Sequence, residues 1–304
     1  MMVVVYIIFL LFLELGLRRS VPYKNSLPDI IQASDVSGME YELKPNTTSI
    51  FEGCGFRLKP TQVVINSYGI RNDEFNLRKQ ANKFRILAVG DSVVFGWGVE
   101  KKESFVYLLE QMLNNRSSLH RFEVLNFGVP GYNLTQEVEL VGAKGIILEP
   151  DLIIFYITDN DLREAIDYNN INPIHRYLPT IIKSTAIYNF LYTRLIRIVE
   201  LFARDKSHSE GVFSQAKEKL LSLPQSIRDR IIFFAENEGI LSGMIRENGF
   251  FITVAEINLY KNDLVFKNDW HPNQDGHRAI TCELYDTVMH FFEENKLENA
   301  YNFY

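Results

Sequence analysis

The sequence predicts an α/β protein, a parallel sheet with helices packed on both of its faces, and three observations predict it. Apolar runs of strand length recur at Arg85–Val89, Phe122–Phe127 and Asp151–Ile157. The segments between them repeat apolar residues at helical spacing, beginning with Phe105, Leu108, Leu109, Met112 and Leu113. The third run is apolar on both faces, as a strand covered from both sides has to be. Strands alternating with helices imply a parallel sheet with right-handed crossovers, whose binding sites lie beyond the carboxyl ends of the strands.

Each element carries its own signals. Arg85–Val89 (RILAV) ends at Gly90-Asp91-Ser92, and Phe122–Phe127 (FEVLNF) closes on Gly128. Asn133 or Thr135 then offers a side-chain cap for a helix running to about Ile147. After Ile157 the rhythm breaks. Residues 162–230 hold helical patterns at Ile181–Phe202 and Ala216–Leu223 and a polar stretch, Asp205–Glu210. They read as a helical insertion, either a lid over the sheet or helices packed on it. Arg230–Ala235 fits a fourth strand or part of a helix, Phe250–Ile257 a last strand, and Asp275–Glu294 a closing helix. Residues 20–80 form an irregular lead-in, with turn signals at Lys44-Pro45-Asn46 and Asn66–Gly69 and short strands such as Thr61–Ile65. The main domain therefore spans 81–296, and 297–304 is a tail.

Composition excludes several classes. Hydrophobic residues make up 46% of the 304, enough for a core, which rules out global disorder. Lys and Arg are interspersed with Asp and Glu at a net charge of -6, without the basic patch a nucleic-acid partner needs. Cys54 and Cys282 lie far apart with no CxxC spacing, which leaves one disulfide or two buried thiols and argues against a metal knuckle. His271 and His277 have no second ligand pair beside them, so no metal site is expected. Residues 1–19 are a separate matter. Met1–Leu13 carry no charge, Glu14 interrupts, and Arg18 and Arg19 follow. That length falls between a signal h-region and a spanning helix, and no A-x-A-like cleavage site follows. The expectation is a membrane anchor or uncleaved signal, a transmembrane helix with the domain on the extracytoplasmic side, although the trailing arginines favour the cytoplasm for that flank; a buried core helix is the alternative.

The strand ends concentrate reactive residues. The first ends in Gly90-Asp91-Ser92, the second in Asn126-Phe127-Gly128 and the third in Thr158-Asp159-Asn160-Asp161, while Asp269-Trp270-His271-Pro272-Asn273 lies near the C-terminus. In a parallel sheet these ends converge on one crevice. A serine hydroxyl needs an adjacent base, and histidine can take its proton and return it to a leaving alcohol. An Asp behind the ring fixes its tautomer. Oxyanion charge needs preorganised donors, for which the N–H of Ser92, the N–H of Gly128 and the amide of Asn160 are available. Asp91 reads as structural, Asp161 as a turn cap and His277 as a helix-face residue. Trp97 and Tyr132 line the pocket or pack in the core.

Ile86–Val99 (ILAVGDSVVFGWGV) and the later Gly, Asn and His blocks resemble the SGNH/GDSL hydrolase family, with Ser92, Gly128, Asn160 and His271 in family order. The resemblance covers about residues 60–295, without 162–230. It implies a three-layer α/β/α sandwich with a five-stranded parallel sheet (flavodoxin-like), no cofactor, Ser92 as nucleophile and oxyanion donor, Gly128 and Asn160 as oxyanion donors, and His271 as base. Two departures stand out: Thr158 replaces the usual Gly of the third block, and Asp269 lies two residues before His271, where the family usually has three. Asp269 is taken as the orienting acid, with Asn268 as the alternative. The expected activity is hydrolysis of a carboxylic ester of a small molecule, carbohydrate or lipid through an acyl-enzyme. The alternative is an O-acyltransferase or deacetylase acting on envelope polysaccharide, in which a sugar hydroxyl can resolve the same intermediate; a catalytically dead binding module is the third reading.

Overall fold

The computed structural model describes residues 2–20, 27–51, 60–117, 121–163, 185, 187, 206–255, 257–259, 263–266 and 270–294. Helix α1 (Met2–Ser20) precedes a lead-in made of the short helix α2 (Leu27–Ile30) and two antiparallel ribbons, β1 (Ile31–Ala33) with β2 (Tyr41–Leu43) and β3 (Thr47–Phe51) with β4 (Thr61–Ile65). The main domain runs β5 (Lys83–Gly90), α3 (Ser92–Phe95), α4 (Phe105–Arg116), β6 (Arg121–Gly128), α5 (Leu134–Leu140), β7 (Leu152–Ile157), α6 (Lys206–Ser222), α7 (Gln225–Arg228), β8 (Ile231–Ala235), α8 (Ile240–Glu247), β9 (Ile252–Val254) and α9 (Gln274–Glu294).

The five main strands pair in the order β6-β5-β7-β8-β9, all parallel. The order reverses between β5 and β7, and such a switch point opens a crevice beyond the strands' carboxyl ends. Alternate residues of each strand feed two cores. Leu87, Val89, Phe127, Phe155 and Phe233 face α5, α6 and α8 through Leu134, Val138, Ala216, Leu220, Leu241 and Ile245. Phe84, Ile86, Val124, Ile154 and Phe234 face α4 and α9 through Leu109, Leu113, Ile280, Leu284 and Val288. This is the expected three-layer α/β/α sandwich.

The structure sharpens several sequence expectations. The run Arg230–Ala235, which fitted either element, holds the strand Ile231–Ala235, paired on both edges and buried on both faces by the two cores. The last strand is shorter than expected, Ile252–Val254. Asn133, not Thr135, caps α5 by accepting the Gln136 N–H at 3.0 Å. The expected helix at Ala216–Leu223 lies in α6, where Phe213, Ala216 and Leu220 are buried against the sheet, so this part of the insertion packs rather than covers. The expected helix Ile181–Phe202 lies outside the described residues, apart from 185 and 187, as do Cys54 and the tail 297–304; Cys282 is a free, exposed thiol. The lead-in is more regular than its sequence suggests. Thr47–Phe51 and Thr61–Ile65 alternate buried and exposed positions, and Tyr41, Phe51, Val63 and Ile65 join the core that faces α5.

The transmembrane expectation needs correction. Helix α1 forms, but among the described residues no helix is long and apolar enough to cross a membrane. Glu14, Arg18 and Arg19 confine its uncharged stretch to the first turns, well short of a ~30 Å hydrocarbon core at ~1.5 Å per residue. Tyr6, Phe9, Leu11, Phe12 and Leu15 are exposed, while Glu14 accepts the Ile187 N–H at 3.0 Å.

Strand β6 is an edge strand, and an open edge invites foreign pairing. Here side chains occupy it. Asn114 accepts the Phe122 N–H, Glu110 that of Val124, Asn72 that of Asn126, and the Asn126 side chain that of Gly128. Every second residue thus points its N–H outward, away from β5.

Candidate active site

Ser92 opens α3 directly after β5. Asp91 caps this single turn, its Oδ1 accepting the Val93 N–H at 2.9 Å. The Ser92 N–H, at the first helical position, has no intrahelical acceptor, and it finds no partner among the described residues. Two side chains that sequence reasoning missed hold the turn in place. Asn126 donates to the Val94 carbonyl at 2.8 Å, and the fully buried Arg71 donates to the carbonyls of Phe95 (3.0 Å), Gly96 (2.6 Å) and Val99 (2.8 Å). Burial lowers the Arg71 pKa to about 10, so the guanidinium stays charged at neutral pH. The only sequence signal for Asn126 is an amide inside an apolar strand; Arg71 left none.

His271 reaches the same point from the far end of the chain. Its Nε2 lies 2.8 Å from Ser92 Oγ, and both residues are buried. Its carbonyl accepts the Phe266 N–H at 3.0 Å. Two residues on, Asn273 caps α9 by accepting the N–H groups of Asp275 and Gly276, and donates to the carbonyls of Asp263 (2.7 Å) and Val265 (3.0 Å). The histidine loop is thereby fixed to the helix that follows it. Asp269 and its alternative Asn268 lie outside the described residues.

Asn160 sits in the turn Asp159–Leu162 after β7. Its Nδ2 donates to Asp91 Oδ2 at 2.8 Å, which leaves the second amide hydrogen available, and its Oδ1 accepts from the Thr158 hydroxyl. Thr158 has φ -132, an extended conformation open to any residue, so the missing glycine costs this loop nothing. Asp161 caps the turn as expected, accepting the Thr158 N–H at 2.6 Å.

Gly128 does not fit its expected role. Its N–H lies on the outer edge of β6 and donates to Asn126 Oδ1 at 3.0 Å, so it faces away from β5 and already has an acceptor. Glycine is required there for packing: a Cβ would stand 2.2 Å from the Phe95 nitrogen and 2.6 Å from the Val94 carbonyl carbon. The free N–H of this loop belongs instead to Gly131. That residue occupies the left-handed position (φ 83) of the Val129–Tyr132 turn, and its N–H has no partner among the described residues. The lead-in secures this turn, because Tyr41 donates to the Pro130 carbonyl at 2.7 Å and Tyr132 donates to the Tyr41 carbonyl. Tyr132 is therefore a core residue.

Buried titratable groups surround the nucleophile turn. His277 accepts the Phe105 N–H through Nδ1 at 3.2 Å, joining α9 to the start of α4; burial, then Arg71 and His271, push its pKa down to about 3, so it stays neutral. Glu236 is pushed up to about 7 by burial and then by Asp91. Burial, then the charges of Asp161 and Asp91, raises Glu137 well above the usual carboxylate range, and burial, then the charge of Asp91, does the same to Asp161. Among the described residues no cluster of His, Cys, Asp or Glu could hold a metal ion. A cavity of about 140 Å³ lies beside β6, lined by Asn72, Glu110 and Glu123, and does not reach Ser92.

A serine, an imidazole and an amide thus meet at the carboxyl ends of β5 and β7, in a five-stranded parallel sheet. In its motif blocks the chain resembles the SGNH/GDSL hydrolases, and its sheet is the five-stranded parallel one that this resemblance implies. Solved structures similar to it include a putative lipolytic protein of the G-D-S-L family from Desulfitobacterium hafniense DCB-2, with 14% identity, 66% of this chain and 98% of that one covered, and a TM-score of 0.38. The psychrotrophic esterase EstA from Pseudoalteromonas sp. has 14% identity, coverage of 69% and 98%, and a TM-score of 0.43. A G-D-S-L family lipolytic protein from Veillonella parvula DSM 2008 has 15% identity, coverage of 67% and 97%, and a TM-score of 0.42. No protein-family model and no curated protein matches the sequence.

Proposed function

We propose that this protein hydrolyses carboxylic esters through an acyl-enzyme on Ser92. The observation that carries the proposal is the 2.8 Å contact between Ser92 Oγ and His271 Nε2, made by residues 179 apart in sequence. Neutral His271, protonated on Nδ1, accepts the hydroxyl proton at Nε2 as Oγ attacks the ester carbonyl. The resulting oxyanion is met by the Ser92 N–H, the second hydrogen of Asn160 Nδ2 and the Gly131 N–H. Collapse expels the alcohol, which takes the proton from Nε2. Water, deprotonated by the same nitrogen, then cleaves the acyl-enzyme and regenerates Ser92 and the free acid. Asp269 is proposed, on its position in the sequence, to hold the other ring nitrogen.

Attachment to the envelope membrane belongs to the same proposal. The exposed apolar side chains of α1 support a peripheral contact with the bilayer, with the catalytic domain on the extracytoplasmic side. The full chain is expected to float with liposomes and to lose that behaviour when Phe9 and Phe12 become Ser.

The decisive experiment combines p-nitrophenyl acetate with a fluorophosphonate probe. The protein should release p-nitrophenol and be labelled at Ser92, and Ser92→Ala should lose both. Turnover that survives Ser92→Ala would refute the proposal. Acylated sugar accumulating with added oligosaccharide would replace hydrolysis by transfer.

A further inference from the structure

We propose that Trp97 and Trp270 are positioning residues for His271, an aromatic clamp that holds the imidazole in the plane from which Nε2 faces Ser92 Oγ. The inference rests on the proposed role of His271 as base and explains what keeps that base in place. These are the two tryptophans of the chain, and both stack on the same ring. Trp270 lies 4.0 Å from the imidazole centroid at 24°, and Trp97 lies 5.8 Å away at 28°.

The described backbone contacts of His271 act on its main chain. The described part of its loop is held by an isolated bridge between Val265 and Pro272 and by the Phe266 N–H on the His271 carbonyl. An imidazole rotates about χ1 and χ2, and neither backbone contact limits those rotations. Stacked aromatic faces do limit them, because tilting the ring forfeits the stacking contact.

Trp97 is suited to the task because it is anchored to the nucleophile itself. Its backbone N–H donates to the Ser92 carbonyl at 3.0 Å. Arg71 grips the carbonyls on either side of it, at Gly96 and Val99. Phe51 packs edge-on against its indole at 4.9 Å, and the residue is buried. Ser92, Trp97 and His271 therefore form a closed circuit: main chain to main chain, indole to imidazole, imidazole to hydroxyl. Trp270 is partly exposed and closes the clamp from the loop.

Two measurements on the full-length protein test the clamp. The first is steady-state hydrolysis of p-nitrophenyl acetate by Trp97→Leu and Trp97→Phe. Loss of the stacking face should lower kcat by about 10- to 100-fold with KM within about 2-fold, since a base displaced by ~1 Å costs on that order. Phenylalanine keeps a stacking face and should recover activity to within about 3-fold. The second needs no turnover. In protein labelled with ¹³C-histidine, the His271 ring signal, identified by its loss in His271→Leu, should move downfield in Trp270→Leu and in Trp97→Phe, because stacked indoles shield it. Trp270→Leu alters a partly exposed side chain and is expected to stay folded. A stationary signal, or full kcat in a folded Trp97→Leu, would overturn the clamp. An inactive wild type with a shifting signal would instead refute the esterase proposal and leave the clamp standing.

Discussion

Replacing Gly128 by alanine separates two accounts of one glycine. If Gly128 were an oxyanion donor, alanine would keep its N–H, and the cost would fall on substrate approach alone. The structure requires a different outcome. The new Cβ would sit 2.2 Å from Phe95 N, 2.6 Å from the Val94 carbonyl carbon and 2.8 Å from Phe95 Cα, all backbone atoms of the nucleophile helix. Ordinary contact begins near 3.4 Å, so α3 has to retreat by roughly 1 Å, and no side-chain rotation relieves the overlap. Overpacking of this kind costs ~1–3 kcal/mol or more. At ~2–4 °C per kcal/mol, Tm should fall by a few to about ten degrees. A retreat of that size also stretches the 2.8 Å contact between Ser92 Oγ and His271 Nε2 beyond hydrogen-bonding range, so kcat should drop by about 100-fold. Thermal denaturation followed by circular dichroism, with p-nitrophenyl acetate turnover on the same preparation, reads both effects. Gly131→Ala is the control. Its φ of 83 costs ~1–2 kcal/mol for a Cβ, so Tm should fall, while its N–H survives and any loss of turnover is confined to substrate approach. Wild-type Tm together with wild-type turnover in Gly128→Ala would refute the packing account.

Three further outcomes are expected. Asn160→Ala removes an amide donor and its bond to Asp91, and should lower kcat about 10²- to 10³-fold with little change in Tm, which paired kinetics and melting would check. Arg71→Leu leaves the carbonyls of Phe95, Gly96 and Val99 without their buried donor; at ~1–3 kcal/mol for each group, urea denaturation should show a loss of at least about 3 kcal/mol. Glu236 is raised from 4.5 to about 7, so the folded state holds its proton more tightly than the unfolded chain. Its contribution is fully favourable below pH 4.5 and is lost as pH rises through about 7, a span of about 3 kcal/mol at ~1.4 kcal/mol per unit. Glu236→Gln should therefore flatten the stability profile between those pH values and stabilise the protein at pH 8, and equal slopes for the two proteins in urea titrations would count against this.

Much of the main domain was legible because one-dimensional periodicity reports the environment of each element. Asp151–Ile157 is apolar on both sides because helices cover both faces of β7, and Phe105, Leu109 and Leu113 face the sheet because α4 lies against it. The lead-in was harder, since its strands are 3 to 5 residues long, too short for a periodic signal. Of the site residues, Ser92, Asn160 and His271 stood out because each follows a strand or opens a terminal motif. Gly128 also stood out, but its N–H direction follows from the pairing of β6 with β5, which no local pattern encodes.

By itself the sequence determined which side chains were available for chemistry and the order in which strands and helices deliver them. Alternation along the chain is a local property, and burial of each apolar stripe enforces it. The tertiary structure alone decided which of those groups can act together. The 2.8 Å contact between Ser92 and His271, the grip of Arg71 on the nucleophile turn, the diversion of the Gly128 N–H to Asn126 and the two indoles on one imidazole all join residues from separate stretches of chain. Hydrogen bonds and ring contacts depend on angstrom-scale distance and direction, and only the packed sheet sets those.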